Sequence, residues 1–540
     1  MTVPKNHRLI AFLSVLVLEN LNLVIQASEF DAADSQSVSS STEIERTKRL
    51  IQGARGLREK YHQDPQRPQY HFMAPEAVYG SFDPNGALYW KGKYHLFYIL
   101  YLPGLTYLEG KICWGHASSI DLLHWRHHPT AIQPLPGDPD QDIYSGEAFL
   151  DKAGVPTVIY NSPAGACIAT SQEDDLIHWK KSPLNPVIGP PQKRGNDPGI
   201  WIEGDTYYVI KGSCIDGDTA FLFKSSNLTN WKLLGRFYES SREWTRTDED
   251  CACPTFFNLG NKRMLLFTSH YAGAQYYLGR LENEKFYPEQ HARMNWPGGP
   301  FFAPESMLDP QGRRILWAWV CETRSREQIF ASGWAGVMSL PRILSLAQDG
   351  TVQIEPAKEL ENLRYNPVHR QDIRLTADNE TLLDNIKGDS LELKIQFENS
   401  EAQQVGVKVR CAPDGSEQTT IYYDRTSERL VIDTTRSTLS AGIVQPFPFP
   451  FAAMHEEPLK NSRNVQLQQA PFSLQPGEPL QLRIFLDRSI LEVFANNRQC
   501  VTQRIYPSRP DSHRIALFSR GGSAKVESIV AWKMAATNAW

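Results

Sequence analysis

Four acidic positions stand beside turn or strand punctuation, far apart along the chain. They are Asp83 before Pro84-Asn85-Gly86, Asp197 before Pro198, the run Asp248-Glu249-Asp250, and Glu305 after Pro304. A carboxylate held at a strand end is rigidly placed and can face a cavity. Two such groups flanking an acetal are what glycoside cleavage needs, one to attack or to activate water and one to protonate the leaving oxygen. Taken singly, each reads as a turn residue, since Asp and Asn cap tight reversals by bonding to their own backbone. Taken together, they require a scaffold that brings distant segments to one point. No phosphate-binding glycine loop, Ser-His-Asp order or histidine metal cluster competes with them.

The scaffold is visible as a repeat. Asp121-Leu122-Leu123-His124-Trp125 recurs as Asp175-Leu176-Ile177-His178-Trp179 and, degraded, as Asn227-Leu228-Thr229-Asn230-Trp231. Strand-rich repeats of this size are the mark of propeller blades. Ahead of them, Ala87–Trp90 and Lys93–Tyr98 alternate apolar and polar around a Lys-Gly-Lys turn, which predicts a β-hairpin. Residues 67–350 accommodate five blades around an axial cavity. From 365 to 540 the pattern becomes short alternating strands, such as Leu391–Phe397, Leu482–Leu486 and Ile490–Phe494. That segment predicts a β-sandwich, without a catalytic cluster of its own. The expected class is all-β.

Composition narrows the partners. A chain of 540 residues with a net charge of −5 has no basic excess for nucleic acid. An aromatic share of 11% suits both a β-rich core and sugar-binding faces. Lys5, His7 and Arg8 precede the apolar run Leu9–Leu18, and Ile25-Gln26-Ala27 offers a small-residue cleavage point. Residues 1–27 are therefore expected to be a secretory signal, with the protein secreted or periplasmic and without a membrane anchor. Residues 28–66 are expected to be a linker with a short helical lead-in. The eight cysteines show no zinc spacing, and export would permit one or two disulfides.

From Arg67 to Trp532 the chain resembles glycoside hydrolase family 32, the invertase, levanase and inulinase group. The residues that carry the resemblance are Asp83-Pro84-Asn85-Gly86, Trp114-Gly115-His116-Ala117, Tyr144-Ser145-Gly146, Asn196-Asp197-Pro198 and Cys253-Pro254. Gly333-Trp334, Leu340-Pro341-Arg342 and Asp487–Phe494 extend it. The resemblance implies a five-bladed propeller followed by a sandwich, and retaining cleavage of an oligo- or polysaccharide β-fructoside without metal or organic cofactor. It implies Asp83 as nucleophile and Asp197 as the carboxylate that holds sugar hydroxyls and steadies an oxocarbenium-like transition state. Asn85, Trp114, Tyr144, Ser145 and Asn196 are the implied substrate-binding positions.

The departures are at the chemistry. Where the family carries a glutamate as general acid/base, this chain has Ala252, and Thr255 replaces the aspartate after Cys-Pro. Asn196 stands for an arginine, Gly80 and Phe82 for a tryptophan and an asparagine, and Ile99 for a sugar-binding glutamine. Alanine transfers no proton. Two residues are expected to take over: Asp250, two positions before Ala252, or Glu305, packed beside Phe301 and Phe302 where desolvation would raise its pKa. Glu147 is a weaker third. The rival expectation is a catalytically silent carbohydrate-binding protein on the same scaffold.

Overall fold

The computed structural model describes residues 40–74, 82–101, 111–189, 196–213, 217–448 and 462–538. The expected signal segment, the start of the linker and Gly80 lie outside the described residues. The chain divides into two units, residues 1–62 and 63–540. In the first, the helix Ser40–Gln63 exposes most of its length, including Ile44, Leu50 and Ile51. Glu43 in its first turn and Lys60 and His62 in its last complement the helix dipole.

The second unit begins with five four-stranded antiparallel sheets, in each of which strands adjacent in sequence pair with one another. These are the blades of a five-bladed β-propeller, and a β-sandwich follows. The first strands of the sheets are Pro84–Trp90, Gly146–Leu150, Pro198–Glu203, Ala252–Leu259 and Phe301–Leu308. Side chains stitch these inner strands to one another. Asn85 Oδ1 accepts the Gly146 N–H (3.1 Å), Glu147 that of Ile200, Asp197 that of Cys253 (3.2 Å) and Glu305 that of Ala87 (3.3 Å). The last of these joins the fifth blade to the first. Inner strands of neighbouring blades do not pair with one another by backbone, so these buried amides are satisfied by side-chain carboxylate or carboxamide oxygens instead.

The sequence repeat is a loop device. In three blades the residue after the leading Asp or Asn, Leu122, Leu176 or Leu228, adopts a positive φ of 66°, 54° or 65°. The tryptophan three residues later donates its indole N–H to that leucine's carbonyl. Asp121 and Asn227 each accept two following amides, which offsets the strain at the leucine. The repeat thus fixes the turn into the outermost strand rather than the site.

Lys358–Leu363 forms a 3₁₀ turn that leads to two six-stranded sheets. Leu393, Ile395, Leu482 and Ile484 from one face Val407, Ile421 and Leu517 from the other, all fully buried. The sandwich docks on the propeller through charges. Asp487 accepts the N–H groups of Gln69, Tyr70 and His71 and binds His71 Nδ1 at 2.9 Å. Glu492 accepts the Leu340 N–H and pairs with Arg342 at 2.7 Å. Burial works against a charged His71, yet its hydrogen bonds to Asp487 and Glu492 outweigh this and raise its pKa. The Asp487–Phe494 motif is an interdomain clamp. Cys113, Cys167, Cys411 and Cys500 are buried thiols rather than disulfide partners.

Candidate active site

Three inner strands carry the same irregularity near their starts. The pairing register shifts between Asn85 and Leu88, between Ala252 and Thr255, and between Phe302 and Glu305. Gly86, Cys253 and Ala303 take φ of 53°, 45° and 45° at these bulges. A bulge re-aims the side chains around it, and a non-glycine residue at positive φ persists only where its surroundings hold it. Here the result is convergence. Cys253 Sγ lies 3.8 Å from Asp83 Oδ2 and 3.6 Å from Asp197 Oδ2, and the Cys253 N–H donates to Asp197. Ser145 Oγ donates to Asp83 Oδ2 at 2.9 Å. A Cβ on Gly199 or Gly212 would sit about 2.0 Å from the carbonyl of Pro254 or 1.9 Å from that of Cys251, so only glycine lets these two blades close.

The pair of carboxylates sits among cations. Burial pushes Asp197 up to about 6; the Cys253 N–H opposes this, the Asp83 charge adds to it, and His270 opposes it. Lys211, opposite Pro198 in the next strand, is buried and lowered to about 8 by desolvation, with the Asp197 charge acting against the fall. Among the described residues its ammonium has no hydrogen-bond partner. His270 is bound through Nδ1 to Asp250 at 2.6 Å, and its backbone N–H donates to the other Asp250 oxygen at 2.7 Å.

Several expected site residues have other roles. Glu305 is not beside Asp83. It and Glu147 line a cavity of about 570 Å³ along the inner strands, with Thr255, Ser306 and Arg314; Arg314 is a charge partner of both, and the Glu147 charge acts on Glu305. Both carboxylates brace neighbouring backbone, so neither is placed to protonate a glycoside at Asp83. Asp250 is also corrected as a direct acid, because both its oxygens are taken by His270. Trp114 is fully buried, donates its indole N–H to the Tyr144 carbonyl and packs against Phe97 and Tyr160, so its ring serves as packing. Asn85 spends its amide on the Asp83 carbonyl and the Gly146 N–H, which makes it a brace. Tyr144 and Asn196 are partly exposed, each anchored by its backbone N–H, to Asn161 and Gly212 respectively. Phe82 lies in an aromatic cluster with Phe72 and Tyr98, so the polar contact implied there is gone.

The sequence reading missed His270 and Lys211. No motif marks either one. The signal for His270 lies in strand pairing: Ala252 pairs with Thr268, which sets Asp250 and His270 across from each other two residues beyond that pair.

Residues 71–356 match the glycosyl hydrolases family 32 N-terminal domain, and residues 359–533 match the family 32 C-terminal domain. The chain belongs to glycosyl hydrolase family 32. Among family 32 relatives, the sucrose-6-phosphate hydrolase of Zymomonas mobilis is 30% identical over 497 residues, covering 84% of this chain and 90% of that protein. The levanase of Bacillus subtilis is 30% identical over 510 residues, covering 87% and 70%. Fructan 1-exohydrolase IIa from Cichorium intybus has the same fold, with a TM-score of 0.76 at 24% identity over 88% of this chain and 98% of that one. As a family 32 member the chain is a glycosidase of the β-fructofuranosidase class.

Proposed function

We propose that this protein hydrolyses β-fructofuranosides with retention, Asp83 attacking the anomeric carbon and Asp197 holding the sugar hydroxyls and the developing positive charge. The carrying observation is the convergence of Asp83 and Asp197 on one thiol at the bulged strand starts. Ser145 fixes the attacking carboxylate, so little reorganisation remains at the moment of reaction. Lys211 and His270 supply the positive field that the asparagine at position 196 does not, which favours an ionised Asp197. Names among its relatives, such as sucrose-6-phosphate hydrolase, levanase and raffinose invertase, support sucrose-type and fructan-type substrates. The altered positions Phe82, Asn196 and Ile99 allow a related furanoside. Residues 1–27 support an exported protein.

The experiment is turnover of purified protein on sucrose, inulin, levan and aryl furanosides beside Asp83→Ala. Sugar release that disappears in the variant is the expected result. Silence on every substrate with retained oligosaccharide binding would instead make the protein a carbohydrate-binding scaffold.

A further inference from the structure

We infer that His270 is the general acid/base of this site and that Asp250 is its positioning residue. The assignment rests on the fructosidase reading above and deepens it, since that reading leaves the proton donor unnamed.

Ala252 and Thr268 are paired across two antiparallel strands, and Asp250 and His270 stand two residues beyond that pair, one before the strand Ala252–Leu259 and the other just after the strand Lys262–Ser269. His270 is therefore the diagonal neighbour of Ala252. Diagonal positions lie about 7–8 Å apart, within reach of an aromatic side chain. Where a glutamate would project from position 252, the chain has a methyl group, and the imidazole takes the diagonal position.

The dyad has the construction of a positioned imidazole. One Asp250 oxygen accepts the His270 backbone N–H and the other binds Nδ1. Asp250 is 6% exposed, and the His270 ring stands 5.6 Å from that of Phe302, so backbone, carboxylate and aromatic wall fix its plane. With Nδ1 given to Asp250, proton exchange with substrate falls to Nε2, the logic by which a buried aspartate sets the tautomer of a catalytic histidine. The titratable groups that act on the ring are Asp250 on its own sheet, Asp197 from the third blade and Asp83 from the first. Burial disfavours its charge, but the Asp250 hydrogen bond and these three carboxylates prevail, so His270 holds its proton above the ordinary imidazole range. Its side chain is 25% exposed, which leaves a path to substrate and water.

The steps balance. Nε2–H of the imidazolium gives its proton to the glycosidic oxygen as the bond from that oxygen to the anomeric carbon breaks. The Asp83 carboxylate forms an ester to the same carbon, the alcohol leaves, and His270 is neutral. Water then attacks the anomeric carbon, its proton passes to Nε2, and the ester bond returns its electron pair to Asp83. Free sugar, carboxylate and imidazolium are restored.

The test compares wild type, His270→Gln and Asp250→Asn on sucrose and on a nitrophenyl β-fructofuranoside, whose leaving group needs no proton. His270→Gln is expected to lose about 10²–10⁴-fold on sucrose. It should form the fructosyl-enzyme from the nitrophenyl substrate at near wild-type rate, with added azide accelerating turnover and yielding fructosyl azide. Asp250→Asn should shift the basic limb of the kcat/KM profile to lower pH, since removing the carboxylate lowers the imidazole pKa. Sucrose turnover by His270→Gln within three-fold of wild type overturns the assignment while leaving the fructosidase reading intact. So does an unmoved basic limb in Asp250→Asn, a variant that keeps the side-chain shape. A wild type silent on both substrates overturns the fructosidase reading, and this assignment with it.

Discussion

The inner strands of the propeller carry two pairs of carboxylates whose surroundings differ. Asp83 and Asp197 lie just before the inner strands Pro84–Trp90 and Pro198–Glu203, Glu147 and Glu305 within the inner strands Gly146–Leu150 and Phe301–Leu308. Burial raises Asp197 to about 6, Glu147 to about 7 and Glu305 well above its ordinary value. By perturbation alone, the glutamate pair is the better candidate for an acid. Contacts reverse that ranking. Glu147 and Glu305 serve the amides of Ile200 and Ala87 and share Arg314, itself lowered to about 10 by burial against their opposing charges. Asp83 and Asp197 instead meet a hydroxyl, a thiol, the charge of the Lys211 ammonium and an imidazole dyad. Their surroundings can respond to a substrate's charge, whereas those of the glutamate pair hold blades together.

The largest effect should separate the pairs outright. Asp83→Asn removes the attacking oxygen charge and is expected to cost about 10⁴-fold or more in kcat, the scale seen when a covalent nucleophile is lost. Glu305→Gln, which keeps an oxygen for the Ala87 N–H, should leave kcat/KM on sucrose close to wild type. A Glu305→Gln loss as large as that of Asp83→Asn would merge the two pairs into one site. Asp197→Asn comes next, at about 10²–10³-fold, the usual worth of one preorganised electrostatic contact to a transition state.

A smaller effect reads the electrostatics of the aspartate pair. Asp197 must be ionised to steady positive charge, so kcat/KM should fall as pH drops through about 6. Lys211 is protonated there, with its pKa near 8, and favours the carboxylate. Lys211→Met should therefore move the acid limb up by about one unit. An acid limb that stays put would mean Lys211 only packs.

How much of this was visible in the sequence depends on whether the information is local. The blade repeat was legible because one turn solution recurs, Leu at positive φ under a Trp–carbonyl bond. Asp83 and Asp197 were legible because strand starts before proline have a local signature. The misplacement of Glu305 was a failure of depth: its Pro304 context matches that of a mouth residue, but the bulge at Ala303 and the bond to Ala87 set it below. Trp114 reads as a sugar platform in sequence, yet its indole closes a backbone gap at Tyr144. His270 could be found only after Ala252 and Thr268 were paired, and Lys211 only after Pro198 was.

The glutamate pair yields the smallest and most specific prediction, on stability rather than rate. Glu147 titrates near 7 in the folded protein because burial disfavours its charge, against about 4.5 for the free side chain. Between those values the folded state binds more protons than the unfolded one, so stability falls as pH rises from 4.5 to 7 and levels off above. The loss is on the order of 2–3 kcal/mol if the site relaxes little. Glu147→Gln keeps an acceptor for the Ile200 N–H and removes the titration, so its melting temperature should change less between pH 5 and pH 8 than that of wild type. At pH 8 the variant should equal or exceed the parent, with activity retained. Parallel melting curves at both pH values would show that Glu147 is charged in the fold and that Arg314 neutralises it, which would leave the two pairs differing in position alone.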